Sequence, residues 1–375
     1  MKRAIQGAMT VDEKTKQALG RYGFDEVALA AFARRVTEPA SSNTVTKHLT
    51  PPAKEDVAAL APLGTQERRR LRQKGLDSIA RGEVGVVILA GGMATRFGGV
   101  VKAVVPAVDE LSFLECKWKD ISMLAAAVGA PIRTLVMSSY ATHDAIESHV
   151  SERMGRGAIE VFPQFVSLRL SPDGSLFRED DGALSPYATG HGDLTFALRR
   201  SGLLARFRGA GGKLLMMSNV DNLGATVDPA IVGAHLEAGA ALTAEVARKE
   251  PGDKGGAPAR LDGRPQIVEG FRFPKSFDQD SIAVFNTNTF VLDAAAVDRE
   301  FELPYYRVEK LVDGRPAIQF ERLVGELTAF LPTAFLEVER EGPDGRFLPA
   351  KDPGELAKRL GGIRQVVGSR RSLEG

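Results

Sequence analysis

Val84–Lys102 reads VGVVILAGGMATRFGGVVK. Val86, Val87, Ile88 and Leu89 form a short apolar, β-branched run, the pattern of a strand covered on both faces. Ala90 follows, and Gly91 and Gly92 break the run. A Gly pair at the carboxyl end of a central strand lets the backbone approach a ligand closely. Thr95, Arg96 and Lys102 then supply a hydroxyl and two cations. A strand, a tight Gly loop and converging cations suit a phosphate group; a structural turn with cations nearby has the same composition. The loop is not a Walker sequence, because no Gly-Lys-Ser/Thr ends it, and it is not G-x-G-x-x-G.

Elements on either side predict an α/β sheet. Ser112-Phe-Leu-Glu115 is a capping box opening a helix through Met123. Ile132–Ser138, Ile159–Phe162, Lys213–Ser218 and Leu242–Val246 read as strands, and Thr142–Val150 as a helix. Strands alternating with helices indicate a mostly parallel sheet, which binds ligands at its carboxyl edge, where the Gly loop lies. Residues 1–80 read as helical with a break at Pro51-Pro52. Val27, Leu29, Ala30 and Phe32 form one apolar patch, and Thr65 caps a helix over Gln66–Arg81. That helix carries Arg68, Arg69, Arg70, Arg72 and Lys74. Leu71, Leu76 and Ile79 share a face, so the charges read as a solvated face rather than a nucleic-acid surface. The expected organisation is a helical region over 1–80, a catalytic domain over 81–335 and a carboxyl-terminal segment over 336–375.

Composition narrows the class. With 375 residues, 43% hydrophobic, the chain can bury a sizeable core. A net charge of +1 gives no global field for nucleic acid or an acidic membrane. The single cysteine, Cys116, cannot form an internal disulfide, and the amino terminus has no signal-like apolar core. A cytoplasmic protein with no membrane span is expected.

Four further stretches carry candidate chemistry. Gln164, after Phe162-Pro163, offers an amide able to pair with a pyrimidine edge, or to cap a loop. Pro186-Tyr-Ala-Thr-Gly190-His191-Gly192-Asp193 places a histidine between glycines, as an acid/base, a metal ligand or a hydrogen-bond donor. No second histidine has zinc-ligand spacing. Asn219-Val-Asp221-Asn222-Leu-Gly-Ala-Thr226 ends a buried strand on a carboxylate that is either a Mg²⁺ ligand or a turn cap. Phe285-Asn-Thr-Asn288-Thr289 reads as a polar edge strand or as sugar-binding amides, and Lys351 as a solvated loop lysine unless something anchors it.

These stretches together resemble the eukaryotic-type UTP–sugar-1-phosphate uridylyltransferases. Leu89, Gly91, Gly92, Thr95, Gly98 and Lys102 match that family's Gly loop, with Ala94 in place of a Gly and Val101 in place of a Pro. A left-handed backbone at Ala94 would be strained. FPQFVSLRL is similar to the family's Phe-x-Gln-x-x-x-Pro-Arg, with Leu168 for the Pro. Gly-His-Gly-Asp and NVDNLGATVDP match closely, the latter most specifically. Lys254-Gly-Gly, Val268-Glu269-Gly270, Phe285–Thr289, Gln319-Phe-Glu321 and Phe347-Leu-Pro-Ala-Lys351 resemble its remaining segments, so the resemblance runs from Val84 to Leu360. The chain stops at Gly375, where eukaryotic members continue into a β-helix, so a short form is expected, with no oligomerisation through that domain and a monomer or weak oligomer.

The resemblance implies a Rossmann-like nucleotide-diphospho-sugar transferase fold, with a mostly parallel mixed sheet flanked by helices. It implies UTP and a sugar 1-phosphate as substrates and Mg²⁺ as cofactor. Leu89, Ala90, Gly91, Gly92, Arg96 and Asn219 would surround the nucleotide, and Gln164 and Gly190 would select uracil. Lys102, Arg96 and Lys351 would be catalytic, Asp221 would hold nucleotide and metal, and His191 and Asn288 would orient the sugar phosphate. UDP-glucose synthesis is the expected activity. UDP-N-acetylglucosamine synthesis is the alternative within the class; a metal-dependent glycosyltransferase and a non-catalytic nucleotide-binding protein are those outside it.

Overall fold

The Val84–Leu89 run is a strand whose six residues are all buried, at the heart of an eight-stranded sheet. The computed structural model describes residues 10–94, 99–155, 157–253 and 255–368; Thr95, Arg96, Gly98 and Lys254 lie outside them. In chain order the sheet strands are β1 (Val57–Ala59), β2 (Val84–Leu89), β3 (Arg133–Ser138), β4 (Glu160–Pro163), β5 (Leu214–Asn219), β6 (Leu242–Arg248), β7 (Val284–Asp293) and β8 (Thr333–Glu337). Their spatial order is β1-β8-β6-β7-β5-β2-β3-β4. Only β7 runs antiparallel to its neighbours within this sheet. The mostly parallel mixed sheet is as the sequence predicts.

The α-helices are α1 (Glu13–Gly20), α2 (Glu26–Arg35), α3 (Gln66–Ala80), α4 (Phe113–Val128), α5 (His143–Arg153), α6 (Leu194–Arg200), α7 (Leu203–Gly209), α8 (Pro229–Ala238) and α9 (Pro353–Gly368). Period-two alternation splits β2 between two cores. Val86 and Ile88 pack with Leu114, Ile121 and Leu124 of α4 and with Ile231 and Val232 of α8. Val87 and Leu89 pack with Leu194 and Leu198 of α6 and with Leu204 and Phe207 of α7. A third cluster sets Leu29 and Phe32 of α2 against Val166, Leu168 and Phe320.

Local signals held where short-range chemistry decides. Thr65 accepts the Arg68 N–H, and Ser112 and Glu115 form the reciprocal capping box. The α4 helix runs on to Val128 and stops at Gly129, which takes the left-handed conformation, φ 69°. Ala94 lies in a two-residue antiparallel ladder opposite Val100, an extended pairing rather than a left-handed turn.

Three expectations fail. Residues 1–80 are not wholly helical, because Leu49–Thr50 and Val57–Ala59 are strands and β1 closes the sheet edge beside β8. Val27 does not join the apolar patch; it is 79% exposed while Leu29 and Phe32 are buried. The α3 charges are not simply solvated. Arg68 is 5% exposed and pairs with Asp228 at 2.9 Å and Asp344 at 2.8 Å, and Arg70 pairs with Glu237 of α8. Gly75 and Gly233 let α3 and α8 touch backbone to backbone, which brings the α3 cations to acidic partners. None of the described helices is long and apolar enough to cross a membrane.

Candidate active site

The Gly loop leaves β2 on a set of backbone anchors. The Ala90 N–H donates to Met137 O at 2.8 Å, and the Val220 N–H donates to Leu89 O at 3.0 Å. Ser139 Oγ donates to Gly91 O at 2.8 Å and Thr142 Oγ1 to Ala90 O at 3.3 Å. The Leu89 and Ala90 side chains are buried in the core, so these two residues present only backbone to the loop. The two glycines differ. A Cβ at Gly91 would lie 2.4 Å from Gln164 Nε2, whereas a Cβ at Gly92 would meet nothing within 4 Å. Gly91 is small because Gln164 occupies the space beside it; among the described residues the space beside Gly92 is open.

Gln164 follows β4, is 6% exposed, and donates its N–H to Ser138 O at 2.9 Å. Its amide therefore sits against the Gly loop, which joins two stretches that sequence reasoning linked only through the resemblance.

Lys102 and Asp221 meet directly. Lys102 Nζ donates to Asp221 Oδ2 at 2.7 Å, with the two side chains 12% and 21% exposed. Asp221 sits in the turn after β5, and β5 ends at Asn219, in register with Leu89 of β2. The returning carboxyl-terminal segment holds that turn. The Ala350 N–H donates to Asp221 O at 3.2 Å, the Leu348 N–H to Asn222 Oδ1 at 2.9 Å, and Asn222 Nδ2 to Arg346 O at 3.1 Å. A Cβ at Gly224 would lie 2.8 Å from the Arg346 carbonyl carbon, which accounts for the glycine of NVDNLGA. Arg346 is itself locked by Glu245, with Nε–Oε2 at 2.6 Å and Nη2–Oε1 at 2.7 Å. Glu245 is 1% exposed, and such a buried bidentate pair fixes direction as well as position.

The segment thus delivers Lys351 beside the acidic turn, one residue past the Ala350–Asp221 hydrogen bond. Its side chain is exposed, and its charge contributes to holding the Asp253 carboxyl below the usual range; the neighbouring Arg340 contributes more. Arg96, the third expected catalytic cation, falls outside the described residues.

Gly190, with φ 99°, and Gly192 lie on the backbone of Arg322, where Cβ atoms would come within 2.3 Å and 2.6 Å of it. The Val324 N–H donates to His191 Nδ1 at 3.1 Å. A backbone donor at Nδ1 fixes the proton on Nε2, and desolvation pushes the imidazole down to about 4. At neutral pH His191 is therefore an uncharged Nε2–H donor, which selects one of its three possible roles. Asp193 ties the loop together and was not singled out from sequence. It is fully buried, accepts from Phe165 N–H at 3.0 Å and Thr189 Oγ1 at 2.6 Å, and pairs with Arg322 at 2.5 Å. The residue after Gln164 and the residue before Gly190 are thereby fastened to one carboxylate.

Asn288 has φ 57° at a bulge in β7, where the ladder with β6 shifts register between Glu245 and Val246. Bulges re-aim side chains, and here Asn288 Nδ2 donates to Asn219 Oδ1 at 3.0 Å, beside the Asp221 turn. Thr289, in place of the family's Asn, is 1% exposed and faces the interior, so the departure falls on a core position. Glu269, noted in sequence only as part of a motif, has its carboxyl pushed up to about 7, mainly by burial and further by Glu326.

The sheet, with its Gly loop and acidic turn, has the fold of the solved UDP-sugar pyrophosphorylases. A UDP-N-acetylglucosamine pyrophosphorylase from Trypanosoma brucei superposes with a TM-score of 0.76 at 20% identity, covering 95% of this chain and 81% of that one. A variant UDP-glucose pyrophosphorylase from Leishmania major, bound to UDP-glucose, gives 0.73 at 22%, covering 92% and 79%. Residues 28–358 match the model of the UTP–glucose-1-phosphate uridylyltransferase family, and the chain belongs to that family. Proteins of that name from Solanum tuberosum and Dictyostelium discoideum are 27% and 28% identical. The alignments cover 95% and 73% of this chain, and 74% and 57% of those proteins. The chain therefore spans little more than half of the Dictyostelium relative.

Proposed function

We propose that this protein is a uridylyltransferase that joins UTP and a sugar 1-phosphate, with glucose 1-phosphate preferred, and releases pyrophosphate. The observation that carries the reading is the meeting of five family motifs, through four contacts, at one sheet edge: Gln164 on the Gly loop, Lys102 on Asp221, the 346–351 segment on the Asp221 turn, and Asn288 on Asn219. In this reading a phosphate oxygen of the sugar 1-phosphate attacks the α-phosphorus of UTP, and pyrophosphate leaves in line. Such a transfer needs anions held together and their charge offset rather than covalent help. Gly91 and Gly92 offer backbone to the triphosphate, Gln164 and Gly190 the uracil edge, and Lys102 and Lys351 positive charge. Neutral His191 donates its Nε2–H to the sugar phosphate, and Asn288 meets sugar hydroxyls.

Asp221 suits Mg²⁺ by donor chemistry: one hard carboxylate at a strand end, with substrate phosphates to complete the shell. When bound there, the ion would neutralise phosphate charge. Lys102, on Oδ2, holds the Asp221 carboxylate in place and supplies positive charge beside it.

Pyrophosphate release with UTP is expected to be fastest with glucose 1-phosphate, slower with N-acetylglucosamine 1-phosphate, and slower still when ATP or GTP replaces UTP. Equal turnover of the two sugars would remove the glucose preference. Equal use of purine triphosphates would remove the role given to Gln164.

A further inference from the structure

Helix α5 opens with His143-Asp144-Ala-Ile-Glu147, directly after the residues that hold the Gly loop. One His143 nitrogen, one Asp144 oxygen and one Glu147 oxygen all lie within 4.8 Å of one another, and no other such group of three occurs among the described residues. We propose that His143 Nε2, Asp144 and Glu147 form a binding site for one divalent transition-metal ion of the Zn²⁺ class, on the helix that anchors the Gly loop. It is separate from the Asp221 position and does not depend on the substrate reading above.

The imidazole is already oriented for ligation. Ser138 Oγ lies 2.8 Å from His143 Nδ1 and donates its own proton to Phe162 O at 3.2 Å. With its proton on Phe162 O the hydroxyl accepts from Nδ1–H, and that tautomer carries the lone pair on Nε2. A hydrogen bond that fixes the far nitrogen is the usual support of a metal-binding histidine. Nε2 faces Glu147 Oε1 at 3.5 Å, so two electron-rich atoms look at each other across a gap that a cation would fill. Histidine and glutamate four residues apart lie on one helix face, and Asp144 adds the third donor.

A second observation points to the same place. Tyr22 is 1% exposed, and its hydroxyl has no hydrogen-bond partner. Its ring meets the His143 ring edge-on at 5.8 Å, and Tyr22, His143 and Glu147 line one cavity of about 340 Å³. A buried hydroxyl without a partner is destabilising, because it has given up its hydrogen bond to water. Water on an ion held by His143 and Glu147 would supply that partner. The competing cation is Arg21, 3.6 Å from Asp144. Its side chain is 62% exposed, and solvent screens such a surface pair to little net stabilisation, so it yields readily.

The imidazole and two carboxylates suit Zn²⁺, Co²⁺ or Ni²⁺ better than Mg²⁺ or Ca²⁺, which prefer all-oxygen shells. The ion would brace the start of α5, where Ser139 and Thr142 hold Gly91 and Ala90.

The test is calorimetric titration of ZnCl₂ into the full chain freed of metal by a chelator, with Co²⁺ absorption as a second readout. One ion per chain is expected, with a Co²⁺ band of a nitrogen-and-oxygen site. Glu147→Gln and Asp144→Asn, both at exposed positions, should each weaken binding by about 10–100-fold, and His143→Asn should abolish the Co²⁺ band. Saturating Zn²⁺ should raise the melting temperature of the unaltered chain and not of the His143→Asn chain. No stoichiometric binding, or an affinity unchanged in Glu147→Gln and His143→Asn alike, would overturn the proposal and leave His143 and Glu147 as an ordinary ion pair.

Discussion

Lys102 and Asp221, 119 residues apart in sequence, form a 2.7 Å ion pair in which each neutralises the other. In the proposed reading these are the cation that meets phosphate and the anion that holds metal, and here they are partners. The pair holds both side chains in place at the carboxyl edge of the sheet.

Asp221→Asn keeps the shape and removes the anion. Turnover is expected to fall by about two to three orders of magnitude, the scale of one lost electrostatic stabiliser. The fold should persist, because the Ala350 N–H is accepted by the Asp221 backbone carbonyl, which the change leaves intact. Steady-state kinetics with a thermal melt checks both, and near-normal turnover would remove Asp221 from the mechanism.

Lys351→Ala removes an exposed side chain from an anchored backbone. Leu348 and Ala350 are buried, so the segment stays docked. The barrier should rise by about 3–4 kcal/mol, with UTP affinity changed less than about tenfold, because an ammonium near the α-phosphate acts most as charge shifts to the leaving group. Lys351→Arg should rescue little, since a planar fork does not replace a compact ammonium. Single-turnover kinetics at saturating substrates measures the step; an unchanged rate would make Lys351 a surface lysine.

Asn288 takes a backbone conformation that costs a branched residue about 1–2 kcal/mol. Asn288→Val should therefore lower unfolding free energy by about that amount in urea, and Asn288→Gly should not. Both should lose sugar-phosphate affinity, because both delete the amide that reaches Asn219. Equal stability of the two variants would refute the strain.

Lys117 sits beneath the acidic turn, 5% exposed, with Nζ 3.0 Å from Ser218 Oγ and 2.7 Å from Ala225 O. Desolvation pulls its ammonium from 10.5 down to about 7. Between those two values the unfolded chain binds a proton that the folded chain lacks, so stability rises with pH across that window; below pH 7 both states are charged and the dependence vanishes. Denaturant unfolding at pH 7, 8 and 9 should show the difference between the unaltered chain and Lys117→Met growing by at most about 1.4 kcal/mol per pH unit. A flat difference would mean that Lys117 stays charged.

What the sequence made legible follows interaction range. The β2 run, the Thr65 cap and the Ser112–Glu115 box depend on neighbours within a few residues, and the structure bears them out. The Gly-loop, Gly-His-Gly-Asp and NVDNLGA stretches were legible as motifs, but not the reasons for their glycines. Those lie in Gln164, the Arg322 backbone and the Arg346 backbone, each far along the chain. Strand β1 escaped notice because one half-buried and two exposed residues show no period, and only pairing to β8 makes them a strand. Arg68 looked like one surface cation among several because its partner Asp344 lies 276 residues away. Asp193 had a visible place in its motif and no visible role, since its bonds to Phe165 and Arg322 exist only in the fold.

Pairing between β6 and β8 also sets an order of events during synthesis. Seven of the eight sheet strands have been made once Asp293 is added, but the β8-facing edge of β6, whose Leu242, Ala244 and Val246 are fully buried in the finished protein, waits for Thr333–Glu337. At about 5–20 residues per second, that edge stays bare for roughly 2–9 s on the ribosome. An unpaired apolar strand edge invites pairing with other chains. A chaperone that shields nascent β-edges should therefore raise the folded yield of this protein, and ribosomal stalling between residues 293 and 337 should produce aggregates rather than a smaller folded protein.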